Sequence, residues 1–213
     1  MIVIITSGDL SIKAFISDLA NPVYAPGGGA ASALAAALSS ALVSMAASLT
    51  ANNPRFNAFL DELTSAAVRL RELNTDLINL IDRDAEAFEQ LSKVYKLPKN
   101  TEGYTEIRHA AVLYACSVPE EILRCISDIC SILENVKDKC SPSIIPDVCC
   151  AAYLSAAAAE CAAVTVFSNT NMIRGTDDAR RIEAETVRIK GEICSACEST
   201  ASVLLNRISP EVH

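Results

Sequence analysis

Along the segment from Phe56 to about Lys96, apolar residues recur every three or four positions, and Asp84 falls on that stripe between Ile81 and Phe88. A carboxylate on an apolar helix face is either paired or carries a raised pKa. Two readings stand side by side: a structural acid held by an arginine or a helix N-terminus, and a catalytic acid or base. Asp82, two residues earlier, points well round the same helix and by itself reads as a solvated surface charge. Asp147 follows Pro146 at a helix start, where an N-cap is the ordinary role. Arg108 and His109 open a later helix, and Glu160 stands in the run AAAAECAA, where a charge needs a partner or a water-filled groove.

Three of the chain's seven glycines, Gly27, Gly28 and Gly29, follow Pro26 at the mouth of an alanine-rich segment. A turn needs one glycine, and the following alanines already serve close helix packing. Consecutive glycines leave a bare helix N-terminus whose amides a ligand can approach. The triplet has neither the G-x-x-x-x-G-K-[ST] nor the G-x-G-x-x-G form, which argues against a nucleotide-phosphate loop. Cys194 and Cys197 spell C-x-x-C, a redox or zinc spacing, yet no second such pair exists and only His109 and His213 could add imidazoles. The nine cysteines stand mostly in alanine-rich periodic segments, as small apolar fillers of a reduced, cytoplasmic protein, and no metal site is expected.

The elements that must position these residues are almost wholly helical. Ile12, Phe15, Ile16 and Leu19 mark a first helix, ended by Asn21-Pro22. Ala30 to about Thr50 forms a second, with Leu34, Leu38, Ala41, Leu42, Met45 and Leu49 on one stripe and Ala or Ser nearly everywhere else. Small residues all round predict a helix packed by protein on several sides. The Asp84 helix follows, as one long helix or two collinear ones, then a helix from about Thr105 to Val136 that Pro119 should kink. Pro146-Asp147 starts a helix rich in Ala and Cys, and Gly175-Thr176-Asp177 precedes a last amphipathic one. The expected fold is all-α, an up-and-down bundle of five to six long helices in a single domain over residues 1–213, with residues 1–8 as a loose arm.

Net charge of −8 with no basic run excludes the footprint of a nucleic-acid binder. Leu19 to Pro54 lacks any charged side chain and is long enough to span a bilayer, but it is built of Ala and Ser without aromatic or basic flanks, so no membrane partner is expected.

Taken in order, several motifs have a family likeness. They are P-G-G-G-A-x-S-A-x-x-A-A-L at Pro26 to Leu38, L-T at Leu49-Thr50, L-I-D-x-D-A-x-A-F at Leu80 to Phe88, L-P-K at Leu97 to Lys99, R-x-A-A at Arg108 to Ala111, V-P at Val118-Pro119 and P-D-V at Pro146 to Val148. Over about Leu10 to Asn169 the chain resembles the cyclodeaminase/cyclohydrolase family, the C-terminal domain of formiminotransferase-cyclodeaminase and its free-standing bacterial relatives.

That resemblance implies an all-helical homodimer with a tetrahydrofolate-type ligand near the glycine-rich helix start, and no cofactor. It implies methenyltetrahydrofolate cyclohydrolase or formimidoyltetrahydrofolate cyclodeaminase chemistry, the absence of a fused transferase favouring the first. By the same likeness Asp84 becomes the expected catalytic carboxylate with Asp82 as partner and Asp147 as a secondary candidate. Gly27, Gly28, Gly29, Arg108 and Asn169 become substrate-binding residues. The chain departs from the family where a lysine is absent after Leu49-Thr50, where Lys139-Cys140 replaces G-N, and where Thr165-Val166-Phe167-Ser168-Asn169 stands for N-V-x-x-N. Those lost polar positions suit the alternative, a non-catalytic helical dimer of the same family that binds another ligand or a protein.

Overall fold

The computed structural model describes residues 7–23 and 25–209. Six α-helices stand among them: α1 (Ile12–Leu19), α2 (Gly28–Ala51), α3 (Leu60–Tyr95), α4 (Tyr104–Val136), α5 (Ile145–Thr170) and α6 (Asp177–Ile208). Short 3-10 turns at Ser7–Asp9, Pro54–Phe59, Pro142–Ile144 and Asn171–Ile173 lead into or join them. Short connections between long helices give antiparallel neighbours, the expected up-and-down bundle. α2 packs on α3 and α5, α4 on α3 and α5, and α6 on α5 and α4.

Two kinds of helix divide the packing. α3, α4 and α6 bury large residues, among them Leu70, Leu77, Ile81, Ile126, Ile129 and Ile193. α2 and α5 bury small ones: Ala33, Ala36, Ala46 and Ala47 on the first, Ala151, Ala158, Ala159 and Ala162 on the second. Small side chains let backbones approach closely, and the buried serines of α2 use that proximity. Ser39 Oγ donates to the Ala151 carbonyl at 2.8 Å and meets Ser155 Oγ at 2.8 Å, while Ser40 Oγ donates to the Leu70 carbonyl at 2.7 Å. Both of these buried hydroxyls are thereby satisfied across a helix contact.

The packing of α2 corrects one expectation. Its stripe of large residues is only partly covered in this chain: Leu34 and Leu42 pack against the core, whereas Leu38 is 48%, Met45 39% and Leu49 51% exposed. The alanine and serine face won the interior because α3 and α5 can come close only against small residues. By length and composition α2 and the 142–173 segment could each cross a membrane, yet 61% and 44% of their most apolar windows are buried within the protein.

Other differences are local. α2 begins at Gly28 rather than Ala30, so two glycines form its first turn. The α3 region opens with a 3-10 turn from Pro54, and the α-helix proper starts at Leu60. α4 runs on through a buried Pro119. Residues 1–6 of the expected arm lie outside the described residues. Ser7–Asp9 pack on α3, where the Gly8 amide donates to Asp82 Oδ1 at 3.3 Å and a Cβ on Gly8 would lie 2.9 Å from Ile78 Cγ2.

Candidate active site

α2 starts without a side-chain cap of its own, because its N-cap is Gly27. The first amides of a helix need acceptors, and one comes from another helix: Asp84 on α3 accepts the Ala30 N–H through Oδ2 at 3.0 Å. Asp84 therefore caps α2 in trans. The contact is so close that a Cβ on Gly29 would stand 2.0 Å from Asp84 Oδ1 and 2.5 Å from its Cγ. Only glycine fits at 29 while the carboxylate keeps this position.

Beside this contact lies a cavity of about 320 Å³, lined by Gly27, Gly28, Gly29, Asp84, Ala87, Phe88, Leu91 and Ala115, and by Val164, Thr165, Ser168 and Asn169 from the end of α5. Four helices meet here, and each contributes a different kind of group. α2 brings bare backbone, α3 the acid and an aromatic ring, and α5 a polar strip. Asn169 is held by its own amide, which donates to the Ala115 carbonyl at 3.0 Å, and Thr165 Oγ1 donates to the Cys161 carbonyl at 3.1 Å. Burial pushes the Asp84 carboxyl above the ordinary aspartate value, and the Ala30 N–H opposes part of that rise. A half-buried acid with one oxygen tied to a helix amide is oriented and ready to exchange a proton through the other.

Of the residues singled out from the sequence, the structure brings Gly27, Gly28, Gly29, Asp84 and Asn169 into this cavity. Asp82 lies outside its lining: two residues from Asp84 is about 200° around a helix, and its carboxylate holds the Gly8 amide instead. Asp147 sits in the first turn of α5 and is not its N-cap: the helix starts two residues earlier, at Ile145, and Ile144 holds the cap position without a side-chain hydrogen bond. Val164 is 17 residues further on, so Asp147 lies about 25 Å along the helix from the cavity. Arg108, near the start of α4, precedes Ala115 by seven residues, about 10 Å up the same helix face; its Nε is buried without a hydrogen-bond partner. His109 pairs with Asp178 at 2.9 Å, and Glu160 finds its partner in Lys190 at 3.0 Å.

Sequence reasoning missed Thr165, Ser168 and Val164 as lining residues. Thr165 and Ser168 share a face with Asn169 at helical spacing, and they follow a long alanine run. That polar interruption near a helix end was the available signal. Phe88 had a signal too, four residues after Asp84 on the same stripe.

Residues 11–188 match the formiminotransferase-cyclodeaminase family. The chain belongs to that family. Among its relatives, a methenyltetrahydrofolate cyclohydrolase of Methylorubrum extorquens is 29% identical over 194 residues, 89% of this chain and 92% of the relative. A formimidoyltransferase-cyclodeaminase of Rattus norvegicus is 30% identical over 148 residues, 66% of this chain and 27% of that longer protein. The solved formiminotetrahydrofolate cyclodeaminase of Thermotoga maritima superposes with a TM-score of 0.84 at 26% identity, covering 93% of this chain and 97% of the other. The formiminotransferase-cyclodeaminase family thus accounts for both the bundle and the linear order of its motifs.

Proposed function

We propose that this chain is a folate one-carbon enzyme that acts at the N5/N10 carbon of tetrahydrofolate, as a methenyltetrahydrofolate cyclohydrolase or a formimidoyltetrahydrofolate cyclodeaminase. The observation that carries the reading is Asp84, half-buried against a glycine-opened helix N-terminus in a cavity with one apolar and one polar wall. Phe88, Leu91 and Val164 offer a flat ring an apolar wall, while Thr165, Ser168, Asn169 and the glycine amides face polar groups.

The chemistry follows from that arrangement. In cyclohydrolysis, water adds to the cationic methenyl carbon between N5 and N10. Asp84 takes the proton that the water sheds, and a ring nitrogen must gain one as its bond to carbon opens. In cyclodeamination, N10 attacks the formimidoyl carbon on N5 and ammonia leaves as its nitrogen is protonated. Both routes pass through or discharge a cation delocalised over N5–C–N10, which an adjacent carboxylate stabilises electrostatically. The amidinium-type carbon is itself the electrophile, so the reading requires no cofactor.

Two further parts belong to the same reading. The exposed Leu38, Met45 and Leu49 of α2 lie on a helix packed against α5, which exposes Val164 beside the cavity, and a second copy of the chain covers this face. All nine cysteines are free, in keeping with a reducing, cytoplasmic setting. Mixing the purified protein with 5,10-methenyltetrahydrofolate and following its near-ultraviolet absorbance, then repeating with 5-formimidoyltetrahydrofolate while measuring ammonia, tests the proposal. One of the two should react far faster than in buffer. If neither does, the enzyme reading fails.

A further inference from the structure

The C-x-x-C motif does not act as a pair. Cys194 turns outward, its Sγ 3.6 Å from Glu160 Oε1, whereas Cys197 turns inward and meets Cys130 of α4 with the two sulfurs 3.4 Å apart. Both members of this inner pair are buried, Cys130 at 7% and Cys197 at 2% exposure. Each nevertheless lines a different surface groove: Cys130 the one between α4 and α6, Cys197 the one between α5 and α6. The pair thus lies just beneath the floor of a groove on either side of α6.

We propose that Cys130 and Cys197 form a redox-active dithiol, a modification site at which a hydroperoxide converts the pair into a disulfide joining α4 to α6. One sulfur attacks the peroxide O–O bond, which breaks to give a sulfenic acid and release the alcohol, or water from hydrogen peroxide. The second sulfur then attacks the sulfenic sulfur, forming the S–S bond and releasing water. Two thiols lose two electrons and two protons overall, and the peroxide takes up both.

The geometry favours this pair over the motif's own spacing. A disulfide needs its sulfurs at about 2.05 Å and its Cβ atoms at about 3.5–4.5 Å. Closure of Cys130 on Cys197 asks the sulfurs, 3.4 Å apart, to approach by about 1.4 Å. Cys194 and Cys197 sit three apart on one helix, where Cβ atoms are held about 5–6 Å apart, so bonding them would distort α6. The Cys197 thiol facing Cys130 also draws the Cys130 thiol below its ordinary value, against the effect of burial. By contrast, Cys194 is pushed up by burial and by the Glu160 carboxylate. Among the described residues no third ligand completes a metal site here.

Titrating the reduced protein with hydrogen peroxide, alkylating the remaining thiols after denaturation and mapping the peptides tests the proposal directly. The expected product is a chain with no link to another chain, in which two of the nine thiols are lost and the Cys130 and Cys197 peptides are linked, with restoration by dithiothreitol. Cys194→Ser should leave this cross-link in place, and Cys130→Ser and Cys197→Ser should each remove it. A clamp across 67 positions should also raise Tm by about 5 °C or more, reversibly. A cross-link to Cys194, one between chains, or oxidation of Cys150 and Cys161 with the inner pair still reduced would overturn it. The wild-type peptide map decides even if a serine variant fails to fold.

Discussion

Asp84 and Asp147 both stand at helix N-termini, but they do so in different ways. Asp147 acts on the helix that contains it: it lies in the first turn of α5, where a carboxylate favours the local dipole and needs no tertiary partner. Asp84 belongs to α3 and reaches across to the amide of Ala30 on α2, an interaction that exists only when the bundle is assembled. An acid in the first turn of its own helix is explained by local structure. One that is half-buried to cap another, with a glycine cleared beneath it and a cavity beside it, carries a desolvation cost that local structure does not require.

The sharpest way to break this contrast is to neutralise each acid in turn. Asp84→Asn should lower kcat/KM by about 100-fold or more, while its far-ultraviolet helix signal stays unchanged, because an amide oxygen can still accept from Ala30. Asp147→Asn should stay within about threefold of wild type in the same assay, a first-turn carboxylate being a stability matter worth about 1 kcal/mol or less. Equal losses in the two variants would remove the distinction.

Next in size comes Gly29→Ala. The added Cβ would stand 2.0 Å from Asp84 Oδ1 and must displace the carboxylate or α2. A loss of about 10-fold in activity and of about 1–3 kcal/mol in stability to urea is expected. Gly28→Ala is the control, since its Cβ would find only Thr165 Oγ1, at 3.7 Å.

The third prediction concerns pH. Burial raises the Asp84 pKa in the folded state above the unfolded value, so between the ordinary aspartate value of 3.8 and the folded value the native protein holds more protons than the unfolded chain. The contribution of Asp84 to stability is therefore fully present below pH 3.8 and is lost as pH rises through the folded pKa. Relative to wild type, Asp84→Asn should gain stability as pH climbs from the acid range toward neutrality, as read from urea midpoints. A difference between the two proteins that does not change with pH would contradict the burial assigned to this group. The smallest effect is reserved for Asp82→Ala, which frees the Gly8 amide at 3.3 Å and should cost about 1 kcal/mol or less with activity near wild type.

Much of the bundle was legible because α3, α4 and α6 carry large residues at helical spacing, a pattern that only one face can bury. α2 was not legible in the same way. It offers two plausible faces, large residues on one and alanine with serine on the other, and hydrophobicity points to the wrong one. What decided it was the closeness of approach to α3 and α5, a tertiary quantity with no periodic signature. In the candidate site, Asp84 announced itself by breaking its own stripe, and the glycines by their clustering. Thr165 and Ser168 are ordinary helix residues until α5 brings them opposite Gly28, and Cys130 becomes the partner of Cys197 only through a contact between helices distant in sequence.

The most direct measurement is a crystal structure with bound 5-formyltetrahydrofolate, a stable mimic of the one-carbon state at N5. The account predicts the pterin ring against Phe88 and Leu91, with N5 and its formyl carbon within hydrogen-bonding reach of the free oxygen of Asp84 and the polar strip of α5 on the other side. A ligand bound elsewhere, with Asp84 still capping α2 and the cavity empty, would return Asp84 and the glycine triplet to a purely structural role.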